Sequence, residues 1–81
     1  MWGWKTFAES GNYWISTSNI ELSNNLAGFP ADIIDYKYET MVFPLAHGEI
    51  QYGDEVECLR TSDEDEAYLN HLMMFEKYNN L

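Results

Sequence analysis

One cysteine, Cys58, limits how this chain can hold itself together more than any other residue. With no second thiol there is no intrachain disulfide, and no cysteine–histidine set has the spacing of a structural zinc site. At 81 residues the chain is near the lower edge of what one hydrophobic core stabilises unaided. The core must therefore come from rings. Three tryptophans, six tyrosines and four phenylalanines are spread along the sequence, and each large ring buries roughly 150–250 Å². The chain reads as a single domain over residues 1–81, with homo-oligomerisation as the other remedy at this size.

Charge narrows the choice of partners. Fourteen acidic residues against four basic ones give a formal net charge of −10. Disorder requires low hydrophobicity as well as high charge, and a chain that is 46% hydrophobic fails the first condition. Once folded, it must show a strongly negative exterior. Such a surface repels nucleic acid and phospholipid headgroups and attracts basic patches on other proteins. No stretch approaches the roughly 20 apolar residues needed to cross a bilayer. The opening Met1-Trp2-Gly3-Trp4-Lys5 lacks the basic and apolar regions of a secretory signal. Together with a reduced thiol, this points to the cytosol.

The order of elements follows from side-chain type and period. Residues 1–11 mix aromatic and small side chains and close on the turn signal Ser10-Gly11. Asn12 to Leu22 is rich in β-branched and aromatic types and reads as a strand. A bulge near Ser18-Asn19 would bring Ile20 and Leu22 onto the face of Tyr13, Ile15 and Thr17. Residues 23–35 read as a packed connection around Leu26, Phe29, Ile33 and Ile34. Tyr36 to Phe43 is the clearest strand, with Tyr36, Tyr38, Thr40 and Val42 on one side. Pro44 to Gly48 reads as a turn, and Glu49 to Leu59 as a returning strand interrupted at Gly53-Asp54. Ser62 reads as the N-cap of a helix, with four carboxylates from Asp63 to Glu66 in its first turn and Asp65 at the capping-box position. On a 100° wheel Ala67, His71, Met74, Phe75 and Tyr78 form the apolar arc, with Tyr68 and Leu72 at one margin. Asn79-Asn80 invites a left-handed cap. The expected fold is α+β: a three- to four-stranded antiparallel sheet with one C-terminal helix packed on a face.

The blocks Ile15-Ser16-Thr17, Tyr38-Glu39-Thr40-Met41-Val42-Phe43 and Ser62 through Glu66-Ala67 to His71 resemble a family of small uncharacterised proteins encoded by bacteriophages and prophages. The family pattern is a V/I-S-T strand, an F/Y-E-T-M-V/I-F strand and a helix opening S-x-E-E-E-A with a later histidine. The likeness spans roughly residues 13–75 and fits every position from Tyr38 to Phe43, while the helix departs at Asp65, Leu69 and Asn70. It implies a phage origin and a fold. It implies no reaction.

Candidate site residues divide by chemistry. The Asp63–Glu66 run surrounds the helix axis at about 100° per residue, so it makes no single ligand face. Its commonplace role is to complement the helix dipole, by about 0.3–1 kcal/mol per group. Glu55 and Glu57 would share one strand face about 6.6 Å apart. That spacing suits a phosphate-backbone mimic and equally suits a solvent-facing strand with Val56 and Cys58 packed inward. His71, within the apolar arc, reads as a core-edge imidazole bonded to backbone or to a tyrosine hydroxyl. Cys58 has only Arg60 nearby to acidify it and reads as a poor nucleophile. Leu69 and Met73 lie four apart on the helix face opposite the core. Trp2 and Trp4 alternate where nothing local requires them. Both pairs mark an interface, or else Leu69 packs under the 23–35 connection and the tryptophans close the open end of the sheet.

No nucleophile–base pair, cofactor motif or metal set stands out, so an enzyme is the least favoured class and no cofactor is expected. The leading expectation is a phage-type protein that binds and inhibits a host protein with a basic surface. The target class is a nucleic-acid-binding defence component, as for an anti-CRISPR or DNA-mimic inhibitor in the host cytoplasm. Its contacts would be Glu55, Glu57, Asp63, Glu64, Glu66, Leu69 and Met73. The alternatives are an oligomeric sponge that sequesters a signalling nucleotide between stacked rings, and a phage structural or assembly protein.

Overall fold

Tyr38-Glu39-Thr40-Met41-Val42-Phe43 is rich in aromatic and β-branched side chains that favour a strand, and it becomes the centre of the sheet. In the computed structural model, residues 3–20 and 36–81 are described. They run β1 (Gly3–Phe7), β2 (Tyr13–Asn19), β3 (Tyr38–Ala46), β4 (Glu49–Ile50), β5 (Glu57–Thr61) and α1 (Glu64–Tyr78). All pairings are antiparallel. β2 takes one edge of β3 from Tyr38 to Pro44, so β4 and β5 share the other edge. The expected α+β class holds. Among the described residues the sheet has five strands, because residues 1–11 contribute one and the returning strand is split in two.

Several local expectations are corrected. The β2–β3 register runs one-for-one from Tyr13↔Pro44 to Asn19↔Tyr38, so no bulge sits at Ser18-Asn19. β2 simply ends there, and the N–H of buried Ile20 is satisfied by the Lys37 carbonyl at 2.8 Å. β3 continues through Pro44 to Ala46. The turn is the two-residue His47-Gly48 pair, both at positive φ (54° and 78°), as a primed hairpin turn requires. The interruption expected at Gly53-Asp54 is real and separates β4 from β5. The packed connection expected over residues 23–35 lies outside the described residues.

The helix cap also moves. Asp63, rather than Ser62, is the N-cap: it has extended φ/ψ, and its side chain accepts the Asp65 N–H at 3.0 Å. At the other end Asn79 stays right-handed, with φ −61° and ψ −31°, so the left-handed cap does not form there. The β1–β2 turn does the capping instead. The Ser10 N–H donates to the Asn79 carbonyl at 2.9 Å, and the Glu9 N–H donates to Asn79 Oδ1 at 2.8 Å. Orphan acceptors at a helix end are thus met by tertiary contacts.

α1 lies across one sheet face with Ala67, His71, Met74 and Tyr78 buried. Ile15 and Val42, register partners in β2 and β3, are fully buried beneath it, and Tyr13, Leu59 and Phe75 pack against this cluster. The Tyr13 and Tyr78 rings stand 4.7 Å apart. On the opposite face Phe7, Trp14 and Phe43 form a cross-strand row, since Phe7 pairs Trp14 and Trp14 pairs Phe43 in register. Tyr52 closes that row edge-on against Phe43 at 5.5 Å. No helix among the described residues is long and apolar enough to cross a membrane.

Candidate functional site

The 3.6-residue period that buries Ala67, His71, Met74 and Tyr78 turns another set of residues outward. Leu69 is 62% exposed, Met73 50%, Tyr68 49% and Leu72 43%. Leu69 and Met73 thus lie where the spacing placed them. Tyr68 and Leu72, read as margins of the core arc, emerge as part of the same exposed apolar surface. At 100° per residue, Asp65 and Glu66 precede Leu69 on this face and Glu76 follows Met73, all three exposed. Asp63 and Glu64 complete the acidic first turn. An acid–apolar–acid stripe results.

Tyr68 also anchors the edge of the stripe. Its ring meets Trp4 at a centroid distance of 5.1 Å in an edge-on arrangement, and Trp4 lies 6.0 Å from the His71 ring. Trp4 therefore packs against the helix flank. Trp2 lies outside the described residues.

Glu55 and Glu57 do not form the expected row. Glu55 is exposed in the segment that joins β4 to β5. Glu57 opens β5 opposite Val42, on the face that meets α1. There its carboxylate pairs with Lys77 and accepts the Tyr78 hydroxyl at 2.5 Å. The Lys77 hydrogen bond, then the one from Tyr78, holds Glu57 below the usual carboxylate range. Tyr78 is pushed up to about 12 by burial and by Glu57. The assignment of Val56 and Cys58 as inward is corrected by the same register. Leu59 and Thr61 face α1, Val56 is exposed, and Cys58 turns to the open face. Alternation fixes which residues share a side but not which side is covered. Cys58 Sγ approaches Glu39 at 3.6 Å, and Glu39 accepts from Arg60 Nε at 2.9 Å. Burial, with Glu39 adding to it, raises the Cys58 thiol to about 11, which makes it inert as a nucleophile at neutral pH.

His71 is a buried polar group with both ring nitrogens bonded. Its Nδ1 lies 2.8 Å from Thr17 Oγ1, its Nε2 lies 2.9 Å from Thr6 Oγ1, and Thr17 lies 2.7 Å from Thr40. Its partners are threonines on two strands, β1 and β2, with Thr40 of β3 reached through Thr17, and not a tyrosine or the backbone as the sequence led us to expect. Burial, then the Lys5 charge, lowers the His71 pKa. Thr17 is fully buried and His71 nearly so, with Thr6 half-buried at the edge of the network. Lys5 itself donates to Ser16 Oγ at 2.6 Å and Ser18 Oγ at 2.9 Å, with its ammonium 5.8 Å from the Trp14 ring. Among the described residues, no group of three or more His, Cys, Asp or Glu side chains is arranged to hold a metal ion.

No protein-family model, curated protein or solved structure matches the chain. What the site can do rests on its geometry. It has one solvent-facing helix surface of Leu69, Leu72 and Met73, with carboxylates at either end and Tyr68 at its flank.

Proposed function

We propose that the protein is a non-enzymatic, phage-type inhibitor that docks on a host protein with a basic surface, of the class that handles nucleic acid in bacterial defence. The phage origin rests on the resemblance of the Tyr38–Phe43 block and the acidic helix start. The observation that carries the docking role is the α1 stripe. Exposed leucine and methionine cost solubility unless a partner covers them, and the surrounding acids select a cationic partner. Asp63, Glu64, Glu66, Leu69 and Met73 keep their proposed contact roles. Glu57 is occupied with Lys77 and Tyr78, and Glu55 lies off the strand, so a DNA-like row of strand carboxylates is no longer part of the reading.

The test is genetic and biochemical together. The chain is expressed in bacterial strains that each carry one nucleic-acid-targeting immune system, and phage plating is counted. The wild type raises plating by orders of magnitude in at least one strain, and Leu69→Ser with Met73→Ser abolishes the rise. No rise in any strain would remove the inhibitor reading.

A further inference from the structure

The stripe on α1 has a length and a charge order, and together they specify the shape of what covers it. Leu69 to Met73 spans about 6 Å along the axis, and Asp65 to Glu76 spans about 16.5 Å at 1.5 Å per residue. The apolar part is thus little more than one helical turn, with a carboxylate boundary at each end. No basic residue lies within it. Lys77, the one base in the last turn, sits at its margin and is committed to Glu57.

We infer that this surface receives a short amphipathic α-helix whose apolar turn is bracketed by lysine or arginine on the same face. The inference rests on the reading of α1 as the docking surface and adds the partner's secondary structure and charge order. A convex helix with an apolar stripe is complemented by ridges of another helix packed into its grooves. The bracketing carboxylates at Asp65, Glu66 and Glu76 then meet opposite charge at both ends. Nucleic acid would bring its phosphates against those same carboxylates, which excludes it.

A second copy of this chain fits less well. An antiparallel pairing that sets Leu69 of each copy against Met73 of the other also sets Glu66 against Glu76, twice by symmetry. A parallel pairing sets each acidic first turn against itself. Both arrangements bring together two chains of net charge −10, and like-charge juxtaposition is a standard device against wrong partners.

The patch is small. A single helix covering it buries less than a standard interface, so binding is of the transient kind, with a dissociation constant of roughly micromolar order. The probe is a synthetic helical peptide with leucines at i, i+3 and i+4 and lysines one turn to either side on the same face, titrated into the isotope-labelled full chain. A matched peptide with glutamates in place of the lysines is the control. The expected result is binding of the lysine peptide alone, with methyl shifts at Leu69, Leu72 and Met73. The affinity falls at least tenfold on raising the salt, and also in the Leu69→Ser, Met73→Ser variant. Equal binding of both peptides, shifts centred elsewhere, no binding of either, or concentration-dependent self-association through the same methyls would overturn it. Peptide binding without any plating effect keeps this inference and removes the inhibitor reading. A plating effect without peptide binding does the reverse.

Discussion

Thr17 Oγ1 lies 2.8 Å from Nδ1 of His71, a residue 54 positions later in the chain. That bond and its neighbours tie β1, β2, β3 and α1 through one imidazole, since Thr6 and Thr40 join the same chain of hydroxyls. Among the described residues no buried side-chain nitrogen or oxygen lacks a partner. Hydroxyls rotate, so either neutral tautomer of His71 can be satisfied here. The network specifies the register of three strands under the helix rather than a reaction.

Thr17→Val keeps the shape and deletes the central hydroxyl, leaving His71 Nδ1 and Thr40 Oγ1 without their partner. The expected cost is about 1–3 kcal/mol, which lowers Tm by about 4–8 °C per kcal/mol in a domain of this size. Thr40→Val should cost less, because His71 retains both of its bonds. Urea and thermal unfolding of the two variants decide it. An equal loss in both would contradict the central placement of Thr17.

Acid should weaken the fold in two stages. The His71 pKa is lowered in the folded state by burial and then by Lys5, so the unfolded chain, with an ordinary value near about 6.5, binds the proton more readily. Stability therefore falls as pH drops through that value toward the folded one, and it recovers on raising the pH. Urea midpoints measured from about pH 5 to 7.5 should show this slope, and His71→Gln should flatten it. A flat wild-type profile would mean that the imidazole titrates normally.

The second stage belongs to Glu57. Its folded pKa is depressed, so its contribution is present above the ordinary carboxylate range and is lost as pH falls through the folded value. Removing the phenol by Tyr78→Phe takes away a bond to a charged acceptor, worth about 1.5–3 kcal/mol. Lys77→Met removes a half-exposed ion pair and should cost less than about 1 kcal/mol. A double-mutant cycle with Glu57→Gln separates the two. If Lys77→Met proves the costlier change, this ranking fails.

Met73 and Met74 are sequence neighbours with opposite surroundings: the first is half exposed and the second buried in the core cluster. Met74→Ala should cost about 2–5 kcal/mol through the cavity it leaves. Met73→Ser should stay within about 0.5 kcal/mol while impairing partner binding. Chemical denaturation of the pair checks the helix phase directly. A large loss from Met73→Ser would mean that its side chain supports the fold.

Two elements announce themselves in the sequence. Tyr38–Phe43 is dense in β-branched and aromatic types, and α1 shows its acidic first turn and its buried arc, although the cap falls at Asp63 rather than Ser62, so the outward positions of Leu69 and Met73 follow from the wheel alone. β1 is hidden because Gly3–Phe7 is short and alternates half-buried with exposed side chains, which gives no continuous apolar signal. The inverted facing of β5 has a different cause. Glu57 looks like a solvent residue, yet Lys77 and Tyr78 come from a helix 20 residues later and make the helix-facing position tolerable. The His71 network is invisible for the same reason, since its threonines lie on strands far away along the chain. Periodicity reports a residue's own element, and partners across the fold leave no local mark.

β3 has neighbours on both edges along most of its length, and two of them share a single edge. Among the described residues, the β1–β2 hairpin is the one strand pairing that omits it. Assembly must wait for a ribbon that pairs across more than a dozen intervening residues with β2, and the loop entropy of that closure precedes most of the reward. Unfolding should then run as one concerted event, with amide exchange at Thr40 and Val42 reporting the global rate rather than any local breathing.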